Sequence, residues 1–308
     1  MFEAKDFIEK AVPKIKEQIG QRRTIIALSG GVDSSVCAVM THKAIGSNLV
    51  SIFVDTGLMR KDEGKQVNGI FKEEFHLNFR IVEAHKEFLD SLKGVSDPEE
   101  KRKIIGHKFI EVFEREARKE NAEVLVQGTI APDWIETGGQ IKSHHNLTLP
   151  GGMTLDLSEP LRDLYKDEVR KVARELGLPE EISERMPFPG PGLAVRVVGE
   201  VTKEKVELVR KADLIVKEEV KRAGVESWQA FAALLPGNVT GVKGDSRDYG
   251  AIIAIRIVES IDAMTANVKI PDYDVLRRIA DRIPREIPGV TRVLYDLTNK
   301  PPATIEYE

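Results

Sequence analysis

Seven consecutive residues, Ser29-Gly30-Gly31-Val32-Asp33-Ser34-Ser35, limit what this chain can become more than any other stretch. They follow the compact apolar run 24–28 (TIIAL) and open a helix-length segment, 34–45. Two adjacent glycines at a strand-to-helix junction let the backbone approach an anion closely, and successive N–H groups with the helix dipole hold it. The hydroxyls of Ser29, Ser34 and Ser35 add donors, and Asp33 can reach a magnesium ion carried by phosphates. No Lys-Ser or Lys-Thr pair follows, so this is not the Walker A loop. A plain turn with an Asp or Ser cap is the weaker reading of two glycines followed by D-S-S.

The surroundings suit a phosphate cradle. Apolar runs at 49–55 (LVSIFVD), 78–84 (NFRIVEA) and 124–130 (VLVQGTI) alternate with helix-length segments at 34–45, 63–75 and 98–120. Continuous apolar runs separated by helices predict an α/β fold with a parallel sheet covered on both faces. Ligands in such sheets sit outside the carboxyl ends of the strands. Segment 138–152 (GGQIKSHHNLTLPGG) is polar and glycine-rich and reads as a lid or binding loop. Segment 161–176 reads as a helix closed by Gly177. Residues 186–192 (MPFPGPG) suit neither helix nor central strand, so the domain boundary is expected there, dividing 1–186 from 187–308. Beyond it, helices at 203–223 and 274–283 and strands at 231–235, 251–258, 292–297 and 304–307 predict a smaller α+β domain.

Composition removes several classes of function. With 46 basic and 50 acidic residues the formal charge is −4, which argues against a nucleic-acid partner. The longest apolar stretches are far too short to cross a bilayer. Residues 1–20 space Phe7, Ile8, Val12, Ile15 and Ile19 as an amphipathic helix rather than a signal peptide. The lone cysteine, Cys37, excludes an intramolecular disulfide and a CxxC metal site, and points to the cytoplasm.

On these residues the chain resembles a known family. SGGVDSS is similar to the PP-loop of ATP pyrophosphatases, which split ATP into AMP and pyrophosphate while adenylating a substrate oxygen. Argininosuccinate, asparagine and NAD synthetases and tRNA thiolases share that loop, so it fixes the half-reaction and not the product. Five further segments resemble GMP synthetase and follow that family's order. They are 97–106 (DPEEKRKIIG), 127–136 (QGTIAPDWIE), 141–146 (IKSHHN), 187–196 (PFPGPGLAVR) and 300–308 (KPPATIEYE). The resemblance implies ATP and Mg2+ as cofactors, XMP and ammonia as substrates, and a homodimer formed by the carboxy-terminal domain. No Cys-centred elbow with a His-x-Glu partner occurs in the sequence, so ammonia is expected from a separate glutamine amidotransferase subunit. The rival readings are another PP-loop ligase and a nucleotide-binding regulatory subunit with a vestigial site.

The same resemblance distributes roles. Ser29, Gly30, Gly31, Val32, Asp33, Ser34 and Ser35 hold the nucleotide, with Asp33 on the metal. Asp55 flanks the adenosine, although Asp-Thr-Gly reads equally well as a turn. Asp133 and Glu136 are implied at ATP and metal, against a capped, solvated turn. Lys142 is expected to neutralise the leaving pyrophosphate, and His144 or His145 to handle ammonia, where otherwise a polar loop would suffice. Arg102, Gly192, Arg196, Lys300, Thr304 and Glu306 are implied at XMP. The bland alternatives there are a solvated basic helix face and an edge strand.

Overall fold

The protein is described from a computed structural model covering residues 2–136, 146–261 and 263–308. It forms two compact units: 1–55, 63–84 and 107–185 make the first, and 56–62, 85–106 and 186–308 make the second.

The first unit is built on a six-stranded sheet. Strands β1 (Thr24–Ala27), β2 (Leu49–Asp55), β3 (Phe79–Glu83), β4 (Val124–Val126), β5 (Asn146–Thr148) and β6 (Thr154–Ser158) lie in the order β3-β2-β1-β4-β6-β5. All are parallel except β5, which runs antiparallel along β6. The apolar run predicted for β1 is central because it pairs on both edges, Thr24 meeting Leu49 on one side and Val124 on the other. Ile25 and Ile26 are buried accordingly. Helices α1 (Ala4–Ile19), α2 (Val32–Ile45) and α7 (Lys166–Glu175) pack against one another. Helix α2 is the most deeply seated, with Val36, Cys37, Ala38, Val39 and Met40 all buried. The valines and the methionine among them each contribute about 1.5–3 kcal/mol by leaving water. The fit to its neighbours fixes where the turn before α2 stands.

Sequence periodicity places most of this unit correctly, with four differences. The expected helix 161–176 begins only at Lys166, the preceding residues forming turns. Gly177, at φ +79°, closes it by donating to Arg174 O at 3.0 Å. Strand β6 carries little sequence signal, since TLDLS is short and alternates beside a glycine-rich stretch. Strand β4 stops at Val126, and helix α6 (Ala131–Glu136) follows shortly after. Helix α3 (Glu63–Asn68) runs on into a π turn, Gly69–Glu74, in place of one regular helix over 63–75. A short helix α8 (Glu180–Ser183) completes the unit.

The second unit has its own sheet, in the order β10-β8-β7 with β9 also on β8. Strands β7 (Gln229–Lys243) and β8 (Ser246–Glu259) form one long hairpin, β9 is Asn267–Val268, and β10 (Val290–Tyr295) runs parallel to β8. The sequence underestimates the hairpin because Gly237, Asn238 and Gly241 read as turn residues. The strand instead absorbs an irregularity between Leu235 and Asn238. Helix α9 (Lys203–Arg222), capped by Thr202 accepting from Lys205 N at 3.3 Å, packs on β7. Helix α10 (Tyr273–Glu286) buries Val275, Ile279 and Ile283 against α9 and β10.

The unit also takes in α4 (His85–Ser91) and, through Gly106, the first turns of α5 (Pro98–Lys119). Ties distant in sequence hold these earlier segments to it. Leu193 N donates to Leu58 O at 2.7 Å, and Gly94 N to Glu200 Oε1 at 2.8 Å. The expected strand 304–307 does not form. Ile305 and Tyr307 do turn into the core with Phe231, Ala233 and Val258. The carbonyls of Thr304 and Ile305, however, accept from Arg256, at 3.0 Å each, rather than from a neighbouring strand. Among the described residues no helix is long and apolar enough to cross a membrane.

Candidate functional site

In the first unit the Ser29–Ser35 turn links β1 to α2, and its own hydroxyls brace it. Ser29 Oγ lies 3.0 Å from Ser34 Oγ and accepts from Gly31 N at 3.3 Å. Ser34 and Ser35 both donate to Gly31 O, at 3.1 and 2.7 Å. Gly31 is the N-cap of α2 and has no side chain to offer the first-turn amides, which among the described residues receive no cap bond and suit a ligand or water. Gly30 sits at φ +75°, and a Cβ there would stand 2.6 Å from Arg185 Nη1 and 3.1 Å from a methyl of Val67. Arg185 donates to Gly30 O at 2.7 Å and is ion-paired with the buried Glu63, so the loop is pinned from behind. From the next strand, a Cβ on Gly128 would lie 3.1 Å from both Asp33 C and Ser34 N, so only glycine lets β4's continuation come this close.

Asp33 is the charged residue of the turn. Its Oδ2 pairs with Lys166 Nζ at 2.6 Å, while its Oδ1 is buried and has no hydrogen-bond partner among the described residues. An orphaned carboxylate oxygen beside free helix amides suits a cation held jointly with an anion. Among the described residues no three His, Cys, Asp or Glu side chains gather into a metal site of their own. Behind the turn, Cys37 is wholly buried, its Sγ 3.6 Å from Gln127 O. Burial, with Asp33 and Glu159 adding to it, pushes its thiol far above the usual range and makes it inert at neutral pH.

Of the other first-unit residues singled out by the sequence, Asp55 lies at the end of β2, and Asp133 and Glu136 lie in α6, which follows β4. Asp55 closes β2, where its carbonyl accepts from Ala84 N at 2.9 Å. Asp133 is exposed and caps the start of α6 by accepting from Ile130 N at 2.9 Å, so the capped turn is present. Glu136 ends that helix, and its side chain is outside the described residues, as are Lys142, His144 and His145 entirely.

In the second unit the remaining candidates lie in a dense ionic knot. Arg196 is fully buried, holding Glu306 through two hydrogen bonds of 2.8 and 2.9 Å and Asp213 at 3.0 Å. Burial works against its charge, but the bonds to Glu306 and Asp213 outweigh burial and keep the guanidinium above its ordinary value. Asp213 is likewise penalised by burial and is nonetheless held below the usual carboxylate range by Lys217 and Arg196. Arg196 also stacks on Phe231, 4.2 Å from its centroid, while Arg60 stacks on Phe188 at 4.3 Å. Gly192, at φ +64°, is buried where a Cβ would collide with the carbonyl oxygen of Leu58. Both Gly192 and Arg196 are thus spent on internal contacts. Lys300 donates to Ala263 O at 2.7 Å, exposed Thr304 donates to Glu306 O at 2.6 Å, and Arg102 pairs with Glu99 on the same helix face.

Sequence reasoning misses three side chains that matter here. Lys166 stands 133 positions from its partner Asp33. The signal it offers is a lysine in the first turn of a helix, where the dipole disfavours a cation. Arg185 gives no local signal. Lys101, which reads as part of a solvated basic face, is wholly buried, donating to Val197 O at 2.9 Å and pairing with Glu308.

Comparison with known proteins adds three findings. Residues 218–307 match the family model described as GMP synthase C terminal domain, and residues 1–107 match the one described as NAD synthase. The chain is 61% identical over 310 residues to a glutamine-hydrolyzing GMP synthase subunit of Methanococcus vannielii, covering 100% of both chains. It is 64% identical over 314 residues to the corresponding subunit from Methanopyrus kandleri, again covering 100% of both. Among solved structures, NMN synthetase from Francisella tularensis is 17% identical with a TM-score of 0.49, covering 67% of this chain and 85% of that one.

Proposed function

The chain belongs to the same family of glutamine-hydrolyzing GMP synthase subunits as those two relatives, and from that membership we propose that it is the ATP-using ligase component that aminates XMP to GMP. The observation that carries this reading is the Ser29–Ser35 turn: glycine-built, braced by its own hydroxyls, and lacking the lysine of a γ-phosphate loop. Such a turn suits a reaction in which pyrophosphate departs as a unit.

The C2 oxygen of XMP is a poor leaving group. In the proposed reaction it attacks the α-phosphorus of ATP, pyrophosphate leaves, ammonia adds at C2, and AMP departs. Ser29, Ser34, Ser35 and the amides of Gly30, Gly31 and Val32 surround the polyphosphate, and Asp55 flanks the adenosine. Asp33, with its unpartnered oxygen, fits a magnesium ion, which would supply neutralisation of the polyphosphate charge. Asp133 and Glu136 assist at the same strand ends, and Lys142 with His144 and His145 serves the leaving group and ammonia. Lys300, Thr304 and Arg102 contact XMP, while Gly192, Arg196 and Glu306 support that site by holding the chain that carries it.

Ammonia comes from a separate glutamine amidotransferase subunit. A homodimer through the second unit is in keeping with Val242 and Tyr249, exposed on the β7–β8 hairpin. Light scattering that returned a monomer mass would count against it. A reducing cytoplasm suits the buried thiol of Cys37. The reaction is tested by following AMP and GMP from the isolated chain given Mg-ATP, XMP and either ammonium or glutamine. GMP from ammonium and not from glutamine supports the proposal. No XMP-dependent AMP, even with a glutaminase partner added, overturns it.

A further inference from the structure

Lys166 occupies an unfavourable place for what it is. It is the first residue of α7, where helix amides point at it and the dipole disfavours a positive charge. Its ammonium crosses to the start of α2 and rests on Asp33 Oδ2 at 2.6 Å. The other oxygen of that carboxylate is buried without a hydrogen-bond partner among the described residues. The Asp33 backbone is closely approached by Gly128, where a Cβ would stand 3.1 Å from its carbonyl carbon, so the main chain that carries the carboxylate has little room to shift. Lys166 can move: its side chain is 48% exposed against 26% for Asp33, and it is a flexible point charge.

We propose that Lys166 is a displaceable counter-cation. It holds Asp33 while the nucleotide is absent, and it passes to the polyphosphate when a nucleotide-borne divalent cation takes its place. A bare divalent ion on Oδ1 and the ammonium on Oδ2 would repel each other across one carboxylate, so each weakens the other's hold on Asp33. The anionic polyphosphate removes the conflict by giving the ammonium a second anion. The amine is therefore a selectivity device: it discourages metal without nucleotide and rewards the two together. This rests on the reading that the turn binds Mg-ATP.

The test uses the full chain with Lys166→Met and Lys166→Arg, and Mn2+ as the probe. Mn2+ binding without nucleotide is read by water-proton relaxation, and Mg-ATP binding by calorimetry. Lys166→Met is expected to bind Mn2+ alone about tenfold more tightly than the wild-type chain and Mg-ATP about tenfold more weakly. Lys166→Arg, which keeps the charge, should recover Mg-ATP affinity to within about threefold of wild type. Opposite shifts of the two affinities are the signature. If both affinities fall together in Lys166→Met, or neither moves, Lys166 is merely structural and the proposal is overturned. A wild-type chain that binds Mn2+ but no Mg-ATP would instead remove the functional reading beneath it.

Discussion

The Ser29–Ser35 turn in the first unit and the Arg196, Arg256 and Lys101 clusters in the second treat buried charge in opposite ways. At the Ser29–Ser35 turn the charged groups are half satisfied: Asp33 has one oxygen without a partner among the described residues, and Lys166 is half in solvent. In the second unit, Arg196, Arg256 and Lys101 are all buried and together fasten 304–308 through Glu306, Glu308 and the carbonyls of Thr304 and Ile305. Glu308 Oε1 also accepts from Gly199 N at 2.9 Å. An unsatisfied buried polar group costs free energy, and where it stands beside a helix N-terminus and a glycine-built turn a bound ion or ligand would recover that cost. A saturated one has finished its work. On the proposed reading, the contrast separates a place prepared for a ligand from a place that holds the chain still.

Mutation can break that contrast. The largest effect is expected from Arg196→Met, which strands Asp213 and Glu306 without their buried partner and should cost about 3–5 kcal/mol in urea unfolding. A cost under about 1 kcal/mol would mean that the knot is not structural. Asp33→Asn should do the reverse, lowering turnover by about 10²–10³-fold while shifting stability by less than about 1 kcal/mol. Steady-state kinetics beside a melting curve would sharpen the comparison, and equal damage to both would erase it. Gly192→Ala forces a Cβ toward the Leu58 carbonyl at a positive φ and should destabilise by about 1–3 kcal/mol, read by the same urea curves.

The smallest effect concerns Lys217, whose ammonium burial pushes down to about 8 from an ordinary 10.5, Asp213 pulling the other way. Between those pH values the unfolded chain holds a proton that the folded one has released. The wild type should therefore gain stability over Lys217→Met as pH rises through that window, by about 1 kcal/mol given the side chain's partial exposure. Stability measured at pH 7, 9 and 10.5 checks the sign.

What is legible in the sequence is local. The glycines and serines of 29–35 make their contacts with one another, so their order in the chain already states the geometry. The parallel sheet is legible because β1 and β2 are buried on both faces and so read as unbroken apolar runs. The hidden parts are long-range. Nothing near Lys101 marks it as the buried partner of Glu308, and nothing near Arg185 announces Glu63. The alternation in 304–307 correctly places Ile305 and Tyr307 inward, yet the strand it suggests is absent because Arg256 takes its carbonyls. Periodicity reports which face is buried; it does not report who satisfies the backbone.

Cys37 gives the first unit a built-in clock. It is the chain's one thiol, buried in α2 just past the turn, and its raised pKa leaves it unreactive while packed. A thiol reagent can modify it only during excursions that open α2, so the labelling rate reports the opening free energy of that unit separately from the other. Nucleotide bound at the turn should slow that rate in proportion to its occupancy, which turns an inert core residue into a binding assay requiring no added chromophore on the ligand.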